Sequence, residues 1–385
     1  MTCDTDHLTA TTVPPQDTTI CVALELSRSK WLVGVNLPVS DKISKHTLAG
    51  GDGAALLALL SKVKEKAEQQ LGKPLRLMTI QEAGRDGFWI HRLLEAAGIQ
   101  SHVVDPASIA VSRRHRRAKT DALDLEVLMR TLLAWRRGER RVCAMVRVPC
   151  VEHEDVRRGS RERERLVKER TQHVNRIKAL LATQGILDFQ PTHKEARQRL
   201  EDVITGDGRV LPPRLKAELL RELDRLELVA RQLAEIERER DAAVTASNAA
   251  GDKAGLLVRL KGIGPQGATV LLQEAFHRQF SNRREIAAYA GLVPSPWQSG
   301  GTDHEQGISK SGNARLRGTM MELAWLWVRH QPGSALSAWF REHVGDAKGR
   351  RRRIAIVAVA RKLLVALWRY VEHGVVPKGA ELKAA

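Results

Sequence analysis

At 385 residues the chain is long enough for two or three domains, and no stretch reaches the ~20 uninterrupted apolar residues of a membrane span. Its 63 Lys and Arg against 45 Asp and Glu leave a formal charge of +18, more than solubility requires, which points to a polyanionic partner and first of all to nucleic acid. The polar start MTCDTDHLTATT has no apolar signal core, so a cytoplasmic protein is expected. Cys3, Cys21, Cys143 and Cys150 form no CxxC pair, and with His153 they fit no common zinc spacing.

After a polar tail at 1–17, residues 18–26 and 30–38 are apolar, β-branched runs split by a few polar residues, and a weaker strand follows near 43–48. This pattern predicts an antiparallel meander. A helix is expected at 53–71, with Leu56, Leu57, Leu59, Leu60 and Val63 on its buried side, then a strand at 75–81, a helix at 87–97 and a strand at 101–104. Three strands followed by strands alternating with helices is the order of an α/β RNase H-like (RuvC-like) domain, here 18–150.

From 151 to 250 the sequence turns charged and helix-forming. Leu219, Leu223, Leu226, Ala230 and Leu233 alternate four and three residues apart, a coiled-coil seam of about two heptads. It reads either as a helix packed on its own domain or as an oligomerisation arm or spacer. A mainly α domain is expected at 251–373, with a tail at 374–385. Within it, LLVRLKGIGPQGATVLLQE reads as helix, tight turn, helix, resembling a helix-hairpin-helix element whose Gly262 and Gly264 bring backbone N–H groups to a phosphate.

The basic residues cluster at 113–119 (RRHRRAK, with Arg113, Arg114, Arg116 and Arg117), 136–141, 157–170 and 350–353, a footprint for nucleic acid. Against them stand four acids. Glu25 and Glu82 end apolar runs, while Asp121 and Asp124 share one face of a helix. Carboxylates converging from strand ends and a helix repel one another unless cations lie between them, and oxygen ligands of this kind suit Mg²⁺ or Mn²⁺. An ion pair from Asp124 to Lys119 or Arg130 is the plainer alternative. A further candidate is Ser299 in QSGG, set in a flexible turn where glycines allow close approach and followed by a polar loop, with Lys310, Arg315 and Arg317 downstream to hold a phosphate.

ICVALELSRSKWLVGV, IQEAG, HVVDP and AKTDALDLEVL, followed by LKGIGPQGA, YAGLVPSPWQSGG and ISKSGNARLR, resemble in order the motifs of the DEDD transposases of insertion sequence family 110 and its 1111 subgroup. The resemblance runs from about 18 to 330. It implies an RNase H-like domain, a coiled-coil region and a C-terminal transposase domain with a serine nucleophile. It also implies a recombinase guided by a noncoding bridge RNA that pairs with donor and target double-stranded DNA.

By position, the family's acidic tetrad falls on Glu25, Glu82, Asp121 and Asp124, and its serine on Ser299. The first acid is usually Asp, so Glu25 reaches one methylene further; Asp17, the nearby substitute, precedes the strand. Ser295 is the rival nucleophile, enclosed by Pro294 and Pro296. A tyrosine nucleophile is disfavoured, since Tyr289 and Tyr370 lie in apolar helical segments. Strand exchange needs a serine for each duplex, so a homo-oligomer is expected, a dimer that becomes a tetramer on DNA. Two other readings stay open: a metal-dependent RNase H-like nuclease or resolvase without serine chemistry, and an inactive nucleic-acid-binding protein.

Overall fold

A computed structural model describes residues 18–383 apart from 39, 85–86, 110–119, 250–251 and 300, and gives the main chain alone at 247–249, 297, 299 and 302–305. The chain divides into two compact units, Met1–Cys150 and Val151–Ala385.

In the first unit, β1 (Thr19–Leu26), β2 (Lys30–Asn36) and β3 (Ile43–Ala49) form a meander, followed by α1 (Gly53–Leu71), β4 (Arg76–Glu82), α2 (Trp89–Ala96), β5 (Gln100–Val104) and α3 (Asp121–Arg136). The five strands make one sheet in the order β3-β2-β1-β4-β5. β1 is antiparallel to β2 and parallel to β4, which runs parallel to β5. A strand buried on both faces needs a continuous apolar run, and Ile20 to Leu24 supply it with at most 1% exposure.

Alternation along the strands sorts the side chains between two layers. Ile20, Val22, Leu24, Trp31, Val33 and Val35 pack with Leu56, Leu60, Ile90 and Leu94 of α1 and α2. Cys21, Ala23 and Ile80 pack on the other face with Leu125, Leu128, Met129 and Leu132 of α3. Gly34 lets α3 approach closely, since a Cβ there would sit 2.9 Å from Leu125 Cδ2.

The second unit opens with a long helical hairpin: α4 (Val151–Ala182), a short α5 (Ala196–Glu201) and α6 (Pro213–Ala249). Arg163 bonds Glu237 and His173 bonds Glu222, so α4 and α6 run antiparallel. The predicted seam is buried inside this pair. Leu219, Leu223 and Leu226 pack against Ile177 and Leu181, and Leu233 against Leu166. Val229 rather than Ala230 completes the stripe, because a straight helix drifts from a strict seven-residue repeat. Glu222, 3% exposed, is held by His173, Arg176 and Arg225. A buried carboxylate tolerates only a register that keeps these partners.

The remainder comprises α7 (Lys253–Arg259), α8 (Pro265–Leu271) with a π-helical turn at Leu272–Phe276, α9 (Arg283–Tyr289), a hairpin of β6 (Pro294–Ser299) and β7 (Thr302–Ile308), α10 (Ala314–His330), α11 (Ala335–Val344) and α12 (Arg350–His373). Its core gathers Leu257, Leu271, Leu316, Met320 and Trp327 around Val359, Leu363 and Leu367 of α12. The stretch expected to be a tail is packed as far as Lys383: Leu382 bridges to Leu260, and Gln331 holds both the N–H and the carbonyl of Glu381. Composition could not reveal this, because most of these bonds have a main-chain group of a distant segment as one partner. No helix among the described residues is long and apolar enough to cross a membrane.

Candidate functional site: an acidic sheet edge and a serine hairpin

The β1–β4 register pairs Ala23 with Ile80 and Leu24 with Gln81. One step further along both strands come Glu25 and Glu82, both half-buried and, by alternation, on the face that α3 covers. The direction of α3 follows from two contacts. Its Arg136 Nη1 lies 3.5 Å from Cys21 Sγ, and its Leu125 lies over Gly34, the partner of Ala23. The helix therefore begins at the Glu25 end of the sheet, with Asp121 and Asp124 in its first turn.

Thr120 starts that turn by accepting from the Leu123 N–H. The helix dipole favours acids there, a sufficient structural role for one Asp. Arg130 pairs with Glu126, which also takes Lys45 at 2.9 Å, so Asp124 is not spent on Arg130. Asp121 and Asp124 form no ion pair with a described residue; Lys119 and Arg113, Arg114, Arg116 and Arg117 lie outside the described residues. Glu25 and Glu82 thus close β1 and β4 at the end of the sheet toward which α3 begins with Asp121 and Asp124. Among the described residues no three His, Cys, Asp or Glu side chains stand close enough to hold an ion.

Where a flexible turn followed by a polar loop was expected, β6 and β7 form a hairpin, with Pro294 opposite Ile308 and Ser299 opposite Thr302. Pro294 and Pro296 hide the first strand in the sequence, since proline cannot donate to a ladder. Both fit here because the ribbon has only two strands and is irregular between those prolines. Ser299 ends the outgoing strand at the tip, while Ser295 lies at the irregularity near the base.

The base is locked. Ser309 N–H donates to Val293 O, Lys310 N–H to Gly291 O and Asn313 N–H to Tyr289 O. Gly312 has φ +105°, and a Cβ there would run into the Tyr289 carbonyl. Asn313 caps α10 by accepting from Leu316 N–H and donates through Nδ2 to buried Glu274 at 2.8 Å. Sequence reading passed over this clamp. Its signals were Asn313 at a helix start and Gly312 beside it, both of which also occur in ordinary turns.

The cations assigned to phosphate fare differently. Lys310 is exposed, with φ +57°. Arg315 is turned inward: Nη2 donates to Ser160 O at 2.6 Å, and Glu164 and Glu274 lie 3.7 Å from its guanidinium. Arg317 donates to Ala290 O at 3.3 Å. Both arginines brace the clamp instead of standing free, an outcome that their spacing from Ser299 could not distinguish.

At Leu260–Gly264 the chain turns between α7 and α8, with Gly262 at φ +84° resting on Leu326 O and His330 Cβ. Gly264 faces open space. Lys261, Gly262, Gly264, Leu326, His330 and Lys383 line an open groove of about 410 Å³. Lys383 spans the turn by donating to Val258 O and Ile263 O, and burial lowers its pKa.

The fold is a mixed α/β sheet unit followed by a mainly helical unit that carries the serine hairpin. Residues 254–338 match the family described as Transposase IS116/IS110/IS902 family, and residues 40–184 match a second profile described as Transposase. The chain is 55% identical to the putative transposase y4rJ of Sinorhizobium fredii, over 94% of each chain. It is 30% identical to a probable family 20 transposase of Pseudomonas aeruginosa, over 77% of this chain and 83% of that one. It is also 27% identical, over 76% of each, to the transposase for insertion sequence element IS1111A of Coxiella burnetii. The chain belongs to the IS116/IS110/IS902 transposase family and is a DNA transposase. Glu82, Asp121, Asp124 and Ser299 lie within the matched segments, and Glu25 lies before them.

Proposed function

We propose that the transposase cuts and rejoins DNA through a phosphoserine at Ser299, with Glu25, Glu82, Asp121 and Asp124 as a companion site for Mg²⁺ or Mn²⁺ and a noncoding RNA as guide. The observation that carries the serine reading is the position of Ser299 at the tip of a two-stranded ribbon whose base is clamped. Ser299 Oγ attacks phosphorus, an O–P bond forms, and the P–O bond to one strand breaks, its hydroxyl leaving with a proton. A hydroxyl of the partner strand then attacks the phosphoserine and frees Ser299, so each ester bond broken is replaced by one formed. Lys310 is the exposed cation near the base of the ribbon available to phosphate charge.

The proposed donor set is chemically suited to a hard divalent ion, being four carboxylates with no sulfur, and the ion would need Glu25, Glu82, Asp121 and Asp124 to draw closer than the described side chains stand. Such an ion, when bound, polarises a phosphoryl oxygen. The strand order β3-β2-β1-β4-β5, with acids at the ends of β1 and β4, supports the RNase H-like reading. Guide RNA is assigned to the run containing Arg113, Arg114, Arg116 and Arg117, with donor and target duplexes as the substrates. The subunits are taken to form a dimer that becomes a tetramer on DNA. The Leu219–Leu233 seam is covered by α4 and is not the pairing surface.

The test is a strand-joining reaction stalled with a nicked duplex and digested with trypsin. DNA is expected on the peptide containing residue 299, and Ser299→Ala should remove both adduct and product. The acidic edge favours a second reading, metal-dependent hydrolysis alone. That reading gives no adduct and near-normal cleavage by Ser299→Ala. An adduct on Ser295 would keep the chemistry and move the nucleophile.

A further inference from the structure

Four basic runs look alike in the sequence, but folding separates them. Residues 113–119 lie outside the described residues. In 136–141, Arg136 reaches Cys21 and Arg140 stacks on Trp135 at 3.9 Å. Along 157–170 the cations are largely matched: Arg158 with Asp155, Arg163 with Glu237, Arg165 with Glu162 and Glu169, and Lys168 with Glu164. Among the described residues, the run 350–353 is the one that sets four consecutive exposed arginines side by side. All four arginines are exposed in the first turn of α12, with no acid in that turn, and none pairs with a described carboxylate. Four like charges gathered there repel one another and the positive end of the helix dipole, a cost relieved by a polyanion.

The neighbouring surface carries further basic side chains, with Glu322 as the exposed acid of α10 and Lys261 paired with Glu381 at 2.5 Å. Arg352 lies over the ring of Trp325 at 5.1 Å, and Trp325, 37% exposed, stands on α10 beside exposed Leu326, Arg329 and His330. Leu326 and His330 in turn line the groove of the Lys261–Gly264 turn. Trp339 is covered similarly, by Lys362 at 4.4 Å and His343 at 4.1 Å.

We propose that the exposed side of α10 and the first turn of α12 form a contact surface for the backbone of B-form duplex DNA, running from the Lys261–Gly264 turn to Arg350–Arg353. This rests on the transposase reading only in taking DNA as the occupant. Two features choose duplex DNA over RNA. At ~100° per residue, four consecutive side chains fan around about 300° of the helix, which suits phosphates on both sides of a groove. The B-form major groove, about 12 Å wide, admits a helix, whereas that of A-form RNA is deep and narrow. The indole faces of Trp325 and Trp339 are already occupied by cations, so the strip is not a stacking platform for unpaired bases.

The test uses the full chain in EDTA, with a short B-form duplex and a single-stranded RNA of equal length as probes, titrated between ~50 and ~200 mM salt. Arg350→Gln/Arg351→Gln/Arg353→Gln leaves Arg352 on Trp325 and should keep the thermal midpoint. It should weaken duplex binding roughly tenfold or more and flatten the slope of log affinity against log salt by about 2 to 3, leaving RNA affinity within about twofold. The triple Lys variant should restore the slope. Unchanged duplex affinity and slope, or a larger loss for RNA than for duplex, overturns the proposal. Because no chemistry is measured, a wild-type chain that still forms the Ser299 adduct while the triple variant binds normally removes this surface and leaves the serine reading intact.

Discussion

The acidic edge and the serine hairpin are built on opposite principles. Glu25 and Glu82 are positioned by the register of a five-stranded sheet covered on both faces, where moving one strand by a residue would invert every side chain along it. Ser299 stands at the end of a two-stranded ribbon whose position is set by its base, through Gly312, Asn313 and Glu274. A sheet edge presents fixed charge, while a ribbon clamped at one end delivers a single group to a substrate. On the proposed reading the first would hold an ion and the second would carry a nucleophile to phosphorus.

The largest effect expected is on strand joining. Asp124→Asn and Ser299→Ala should each reduce it on the order of 10³-fold or more, with the fold intact. They should part in a second respect: chelation with EDTA should reproduce the Asp124→Asn defect. Full joining in EDTA, or by the Asp124→Asn protein, would dissolve the acidic half of the comparison.

A smaller effect tests how each region is held. Gly312→Ala combines a left-handed φ with a clash against the Tyr289 carbonyl and should lower stability by about 2 to 4 kcal/mol in urea unfolding. Gly34→Ala meets the end of the Leu125 side chain, which can shift, so about 1 to 2 kcal/mol is expected. Equal costs would mean that the clamp is no stiffer than the α3–sheet contact.

The mildest test is pH, because each unit buries an imidazole. Desolvation, helped by His91 and Arg140, lowers His102 to about 4. Desolvation, with Arg157 and Arg278, does the same to His277, also to about 4. Arg157 donates to His277 Nε2 at 2.8 Å, a contact that requires the neutral ring. Above pH 6.5, the ordinary imidazole value, neither the folded nor the unfolded chain holds these protons. As pH falls below it the unfolded chain is protonated first, and stability declines until pH passes about 4. The thermal midpoint should fall across that window, and His102→Gln or His277→Gln should each remove part of the fall. A midpoint independent of pH there would contradict the burial of both rings.

Periodicity and apolar runs were enough to read β1 through β5, α1 and α2, because a sheet covered on both faces and an amphipathic helix leave that pattern in any sequence. The acids at the ends of β1 and β4 were legible for the same reason: a charge that closes an apolar run stands out. Which leucine seam meets which helix, whether Arg315 faces a substrate or Ser160, and which described cations of 157–170 find an acid depended on contacts between segments far apart in the chain. Arg315 meets Ser160 across 155 residues, and Arg163 meets Glu237 across 74. Local composition carries no record of such pairings, since any exposed cation reads the same until folding supplies or withholds its partner.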